Sequence, residues 1–488
     1  MLIFLLNMEN SSQNKAKNTM EMAERIRFEN SWWSSGMIEA DYENMHRRFY
    51  LNHLYPLIRD LQLRRAVVMM GPRRVGKTVL MHHAISQLIK DGVSPQRIAF
   101  LSIDHPVFAN QGLESLFQMA RQSVGATETA GWYVFFDEIQ YLRNWEIHLK
   151  TLVDSYPKTK FIVSGSAAAA LKFQSAESGA GRFTEFYLPP LSFYEYIHLI
   201  AYEHLIRHTA LQWSGNIEQF YGSINLREMN QHFLDYINFG GYPELIFSEK
   251  MRTNLSRFVK SDIIEKVLMR DLPTLYGIQD VQELNAFFAA LAYQSGNEVS
   301  LNGLFSASGV EKALIQKYLV YLEAAFLIKR IHRVDDTAKR FQRARFFKTY
   351  LSNPSLRSAL FAPLSMSDDS WGAMVETAIF SQWAESSQSP LWYARWSTGR
   401  FQGEVDMIGL SPGNLKPLWA LEIKWSNSYF LKPEKLKSLL LFCKKNGLTS
   451  ALVSSIDREG TIHYDGIELI FVPAAMLAYS IGAHILNK

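Results

Sequence analysis

The segment Gly71-Pro-Arg-Arg-Val-Gly-Lys-Thr78 fits the pattern G-x-x-x-x-G-K-[ST]. Glycines at these places let the backbone curl so that successive N–H groups point at phosphate oxygens, and a helix starting there adds its dipole. In such a loop Gly71, Pro72, Arg73, Arg74, Val75 and Gly76 form the cradle. Lys77 reaches the β- and γ-phosphates of ATP, and Thr78 ligates Mg²⁺. The chemistry also needs an acid at the end of a nearby strand. Trp132-Tyr-Val-Phe-Phe-Asp137-Glu138 supplies it, with Asp137 binding Mg²⁺ through water and Glu138 polarising the attacking water. Two acids closing a strand otherwise only cap a helix; the upstream loop favours the phosphate reading. Ser164, in Ser164-Gly-Ser166, is placed to sense the γ-phosphate. Arg182, in Gly179-Ala-Gly-Arg182, is placed to reach a neighbouring subunit's nucleotide as an arginine finger. The plainer readings of these two are a strand-ending turn and a surface arginine.

The elements around these residues read as α/β. Ala66 to Met70 is a buried-strand run, and Leu80, Met81, Ala84, Ile85, Leu88 and Ile89 recur at helical spacing until Gly92. Arg97 to Ile103, Trp132 to Phe136 and Lys160 to Val163 are three further strands, and Trp145 to Tyr156 is helical. Continuous apolar strands separated by helices imply a parallel sheet covered on both faces, a nucleotide-binding architecture.

After Pro189-Pro190 the pattern becomes helical, broken at Gly240-Gly241-Tyr242-Pro243. Gln282 to Tyr293, Leu301 to Ser306 and Glu311 to Phe326 read as three helices and Leu327 to Val334 as a strand, which suggests a winged helix-turn-helix. Its third helix, the recognition helix, should bury Leu314, Ile315, Tyr318, Leu319 and Leu322 and expose Lys312, Gln316 and Lys317, with no arginine to read guanine edges. Lys339, Arg340, Arg343, Arg345 and Lys348 interleave with Phe341, Phe346 and Phe347, a pattern suited to phosphate contact and stacking, or simply to a solvated face. The adjacent His82 and His83 point in different directions along a helix and make no metal site. Trp32 and Trp33 are expected to pack an N-terminal arm against the first domain.

Composition sets the outer limits. A chain of 488 residues is too long for one core and implies roughly three domains. The 48% apolar and 20% charged shares exclude wholesale disorder. The 51 Lys and Arg against 47 Asp and Glu leave +4, so nucleic-acid binding must rest on local patches. The single cysteine, Cys443, excludes an internal disulfide and a cysteine metal cluster. No run of about 18 apolar residues suggests a membrane span. The apolar start Met1 to Leu6 lacks a basic lead and a cleavage site, Met8 is an alternative start, and the chain reads as cytoplasmic. The expected domains are an arm (1–45), the ATPase domain (46–200), a helical and winged-helix region (201–365) and a C-terminal α/β domain (366–488).

With these residues in view, the chain resembles a group of bacterial and archaeal AAA-type ATP-binding proteins with a C-terminal domain of unknown function and a nuclease-like core. The marks are the phosphate loop, Phe136-Asp-Glu-Ile-Gln140, Gly181-Arg182, Leu191-Ser-Phe-Tyr-Glu195, Gly240-Gly-Tyr-Pro-Glu244, Tyr321-Leu-Glu323 and Gly403-Glu-Val-Asp406. The resemblance implies an AAA-type sheet and Asp137 with Glu138 as its Walker B pair. Asn353 stands where related chains usually have Asp in a Tyr-x-x-Asp-Pro turn. Near the C-terminus, strand alternation puts Glu422 and Lys424 on one face. Together with Asp406, and with Glu376 as an auxiliary acid, they look like the PD-(D/E)XK nuclease pattern. There Asp406 and Glu422 would hold Mg²⁺ at the scissile phosphate and Lys424 would stabilise charge. The plainer reading is a solvated ion pair on a strand.

The expected function is an ATP-binding and hydrolysing protein acting on DNA, single-stranded or branched, as a motor or an ATP-gated nuclease. A homo-oligomer is expected if Arg182 acts in trans. The competing expectation is a nucleotide-switched protein-interaction module with a silent nuclease-like domain. A third, transcriptional regulation through the winged helix, predicts a preferred duplex sequence.

Overall fold

The structure, a computed structural model, describes residues 19–487 apart from 110, 166–180, 214, 216, 255, 340–345, 385–389 and 414. Ser166, Gly179, Arg340, Phe341, Arg343 and Arg345 lie outside the described residues, as do Met1 to Leu6 and Met8. The chain divides between Leu188 and Pro189 into two compact units.

The first unit is built on a parallel five-stranded sheet: β1 Ala66–Met70, β2 Ile98–Ser102, β3 Tyr133–Asp137, β4 Lys160–Gly165 and β5 Phe183–Tyr187, in the order β2-β3-β4-β1-β5. Every residue of β1, β3 and β4 is buried, as their unbroken apolar runs require of strands covered on both faces. The helices Lys77–Lys90, Leu113–Ser123 and Trp145–Ser155 lie between successive strands. Because β4 lies between β1 and β3, Ser164 falls between the loop after β1 and the acid that ends β3. Strand β5 is absent from the sequence reading: only Phe183 and Phe186 of its five residues are buried, and it has no continuous apolar run.

Residues 19–29 form a helix, and the residues at its end seat on β2, which among the described residues has a strand neighbour on one side only. The Asn30 side-chain amide donates to Phe100 O at 2.8 Å, and its Oδ1 accepts from Phe100 N at 2.6 Å. Trp32 and Trp33 both donate indole N–H to Ile98 O, at 3.1 and 2.7 Å, and Glu29 Oε2 accepts from Ser102 N at 3.1 Å. The tryptophan pair thus packs the arm, as expected.

The second unit carries a nine-stranded mixed sheet, ordered β15-β16-β14-β13-β12-β11-β9-β10-β8. Its strands are β8 Glu298–Ser300, β9 Ile328–Val334, β10 Phe346–Leu351, β11 Leu391–Thr398, β12 Phe401–Leu410, β13 Pro417–Glu422, β14 Ser450–Ser455, β15 Gly460–Tyr464 and β16 Ile467–Pro473. A separate hairpin pairs β6 Ile206–His208 with β7 Tyr221–Ser223. From 281 to 351 the order is helix Val281–Tyr293, β8, helix Leu301–Ser308, helix Lys312–Ala324, β9 and β10. The short β8 and the strand β10 are not foreseen from sequence. Antiparallel pairing joins β8, β10 and β9, and parallel pairing of β9 with β11 merges them into the large sheet. Ile315, Tyr318, Leu319 and Leu322 are buried while Lys312, Gln316 and Lys317 are exposed, as the helical spacing requires; Leu314 is half-buried. Val405, Met407, Leu421, Leu452 and Val453 are fully buried in the middle of the sheet, beside a Trp383–Trp419 stack with centroids 4.7 Å apart. Asn353, the departure from the related pattern, is buried and accepts from Ser355 N at 2.9 Å. Among the described residues no helix is long and apolar enough to cross a membrane.

Burial, against the weaker pull of the Ser102 N–H and Arg25, pushes the Glu29 carboxyl up to about 7. A carboxyl raised on docking contributes its full stability below its undocked value and loses it as pH rises through the docked value. The arm should therefore be firmest near pH 5 and loosen toward pH 8, at a cost on the order of 2–3 kcal/mol for the ionised group. Thermal melts should show Glu29→Gln more stable than wild type at pH 8, the difference closing at pH 5. A difference independent of pH would contradict this account.

Candidate functional site

The loop between β1 and the helix Lys77–Lys90 is closely fitted to its surroundings. A Cβ on Gly71 would lie 2.2 Å from Leu188 O, so a side chain there would collide with backbone. Gly76 has φ +92°, a conformation that favours glycine, and leads straight into the helix. Lys77 is buried, and its ammonium donates to Gly71 O at 3.0 Å and Pro72 O at 2.7 Å, inside the curl that it would share with phosphate. Val75 is fully buried. Arg48, also buried, donates to Val75 O at 3.0 Å and pins the loop from the side. Sequence reasoning missed Arg48, since nothing in its spacing ties it to a loop 27 residues on.

Asp137 meets this loop from the end of β3. Thr78 Oγ1 donates to Asp137 Oδ2 at 2.6 Å, and the fully buried Ser164 hydroxyl donates to Asp137 Oδ1. Burial, and then the neighbouring Glu138, push the Asp137 carboxyl up, against the pull of Ser164, Thr78 and Lys77. A cation at this place would reverse that balance, and a hydroxyl beside a carboxylate is the hard-oxygen pair Mg²⁺ takes. Glu138 follows at φ +54°, a strained conformation for a residue with a side chain. Its N–H donates to Ser164 Oγ at 3.3 Å, and its carboxylate accepts from the Gln140 amide. Gly71 to Thr78, Asp137, Glu138 and Ser164 are therefore gathered at one end of the sheet.

Arg182 is not among them. Its carbonyl accepts from Ala66 N at 2.8 Å, at the start of β1, whereas the loop follows the strand's other end. A five-residue strand spans roughly 16 Å, which puts Arg182 out of reach of its own chain's loop. Its guanidinium pairs with Asp154 at 3.1 Å on the surface.

In the second unit the four residues of the nuclease-like pattern converge. Glu376 comes from the helix Trp371–Ala384, Asp406 from β12, Glu422 from the end of β13, and Lys424 from just beyond it. Lys424 Nζ lies 2.7 Å from Glu422 Oε1 and 3.3 Å from Asp406 Oδ2. Ser454 holds the Lys424 backbone, accepting from its N–H at 2.7 Å and donating to its carbonyl at 2.9 Å. Asp406 Oδ2 also accepts from Ile423 N at 2.8 Å. Among the described residues Glu422 Oε2 is buried without a hydrogen-bond partner.

Two further members stand in this cluster. Glu404, two residues before Asp406 and so on the same face of β12, and Lys348, from β10, meet at 2.8 Å. Lys348 also lies 2.9 Å from Glu376 and 3.8 Å from Asp406, with its side chain only 3% exposed. The expectation that Lys348 contacts phosphate in a basic stretch is thus corrected: β10 turns it inward, and three buried or half-buried acids hold it. Phe347 is likewise buried, leaving Phe346 exposed. Tyr350 donates to Glu376 Oε1 at 2.5 Å.

Charge follows geometry here. Burial opposes ionisation of Asp406, but Lys424 and Lys348 outweigh it and hold its carboxyl below the usual range. Burial and then Asp406 push Glu422 up to about 7 against the pull of Lys424, and burial raises Glu376 in spite of Lys348. Lys348 keeps its proton: burial works against it, and Glu376 first among the acids prevails.

Residues 63–197 match the model of an AAA domain. The first unit is therefore an AAA-type P-loop ATPase fold. Residues 230–370 match the model of a domain of unknown function, DUF8612. An uncharacterized protein of Methanocaldococcus jannaschii is 23% identical over 279 residues, which cover 55% of this chain and 58% of the relative's length. An uncharacterized protein of Haemophilus influenzae is 25% identical over 305 residues, 61% of this chain and 70% of that one. Among solved structures, the Walker-type ATPase of Pyrococcus abyssi aligns over 65% of this chain and 96% of its own at 14% identity and a TM-score of 0.40. AMPPCP-bound DnaA of Aquifex aeolicus aligns over 58% and 90% at 13% identity and a TM-score of 0.28.

If Arg48 sets the shape of the loop, Arg48→Met should weaken ATP binding about tenfold, the effect of one lost charged hydrogen bond. Titration with a fluorescent ATP analogue measures this, with the melting temperature as a control for folding. Unchanged affinity in a folded variant would remove Arg48 from the site.

Proposed function

We propose that the first unit binds and hydrolyses MgATP. Lys77 and the loop backbone would hold the phosphates. Thr78 would ligate Mg²⁺ directly and Asp137 through water, and Glu138 would orient the attacking water. The observation that carries this reading is the 2.6 Å contact of Thr78 with Asp137, which joins the loop to the strand-end acid at the place a bound cation would occupy. Arg182, remote from its own loop, fits a role on a neighbouring copy's nucleotide, and so an oligomer.

Steady-state phosphate release should vanish in Lys77→Ala together with nucleotide binding. Glu138→Gln should keep binding while turnover falls about 100-fold or more. Wild-type turnover in Lys77→Ala would rule the site out.

For the second unit, the convergence of Glu376, Asp406, Glu422 and Lys424 favours an ATP-controlled nuclease or motor on DNA over a silent interaction module. Asp406 and Glu422 are the residues that would hold Mg²⁺ at a phosphodiester, with Lys424 stabilising the charge that develops. The helix, strand, helix, helix, strand, strand order from 281 to 351 supports the winged-helix reading. The exposed Lys312, Gln316 and Lys317 suit backbone contact better than base readout.

ATP hydrolysis should rise with one form of DNA among single-stranded, duplex and branched substrates, and cleavage on gels should be lost in Glu422→Ala. Hydrolysis indifferent to every DNA, with no cleavage, would favour the protein-interaction module.

A further inference from the structure

The pattern of acids in the second unit accounts for one lysine, Lys424, and leaves Lys348 without a role. Lys348 is not a surface residue that drifted inward. It sits on β10, bonded to β9 on one side and β8 on the other, and its ammonium is buried between Glu376 at 2.9 Å, Glu404 at 2.8 Å and Asp406 at 3.8 Å. Three carboxylates around one cation is the arrangement a divalent ion would otherwise command. Consistent with lysines standing between the acids, no group of three or more Asp, Glu, His or Cys side chains among the described residues is gathered closely enough to hold a metal. Yet Glu422 Oε2 is buried with no hydrogen-bond partner, a cost that points to a missing cation on that side of Asp406.

We propose that Lys348 is the gate of this site: its ammonium stands in for a divalent cation, and the acids accept the metal only when Lys348 gives up its contacts. The inference rests on reading the acids as metal ligands and adds how their occupancy is controlled. The lysine has somewhere to go. Glu298 on β8 lies directly opposite it in register, so the two side chains share a face. The Tyr393 ring, 5.5 Å from the ammonium, lies on the way, since Tyr393 donates to Glu298 at 2.7 Å. Glu298 is at present held by Arg395 at 3.2 Å and by Arg333 at 3.6 Å, and Arg395 also reaches Glu404 at 3.4 Å. Arg395 can therefore take over Glu404 as Lys348 leaves it, and no acid is stranded. Through β8 and β10 the exchange ties the acid site to the strands of the 281–351 element.

The test is Mn²⁺ binding by calorimetry on the full chain, without nucleotide or DNA, in a Thr78→Ala background so that the phosphate loop contributes no metal. Lys348→Met should bind Mn²⁺ about tenfold tighter than the Lys348 protein, and adding Asp406→Asn should abolish the gain. Equal affinity with and without Lys348, lost in Asp406→Asn, would keep the metal site and overturn the gate. No Asp406-dependent binding in any variant would overturn the metal reading and the gate with it. Should Lys348→Met fail to fold, the native side chain reports instead. Acetylation of Lys348 by an amine-reactive reagent, followed by peptide mass spectrometry, should rise several-fold on saturation with Mn²⁺. An unchanged level with metal bound through Asp406 would overturn the gate.

Discussion

Asp137 is a carboxylate that the fold has taken out of water, and its surroundings are arranged to make that tolerable. It closes a strand with no exposed residue. Hydroxyls from two different segments, Thr78 and Ser164, supply the hydrogen bonds that water would have given. Those hydroxyls are in place only because β4 lies between β1 and β3. Strand order, loop shape and the position of one acid are thus a single constraint. An unpaired buried charge costs several kcal/mol, so a nucleotide-bound cation would find the site already short of positive charge.

The second unit solves the same problem differently. Four acids from a helix and two strands crowd together, and two lysines are not enough to neutralise them. Burial pushes the Glu376 and Glu422 carboxyls up, so both resist ionisation. Where the first unit meets burial with neutral hydroxyls, the second uses a buried and a half-buried lysine. This gives the fusion of β9 with β11 a reason: without it β10 would not lie beside the acids.

Much of this was legible in the chain, and the reasons divide cleanly. The phosphate loop, β1, β3 and β4 announce themselves because contiguous apolar runs and a glycine pattern are local signals. Glu422 and Lys424 were readable because strand alternation assigns faces without knowledge of the partner strand, and Asp406 only through the likeness to a known pattern of acids. Strand β5 was not, since a half-covered strand of five residues carries little periodic signal. Lys348 was misplaced for a related reason. A run of basic residues looks solvated, and only pairing of β10 with β8 and β9 reveals which way the side chain faces. Arg48 and its carbonyl partner meet through tertiary packing alone, and no spacing rule connects them.

The contacts of Glu29, Asn30, Trp32 and Trp33 along β2 have a consequence for solubility. These side chains occupy the hydrogen-bonding groups of residues 98, 100 and 102 on the open side of a parallel sheet. An uncovered edge of that kind invites a strand from another molecule, and the invitation is strongest when the edge is apolar and flat. By imitating a sixth strand with side chains alone, the arm ends the sheet without lengthening it, and guards a nascent or partly unfolded chain against pairing with its own kind.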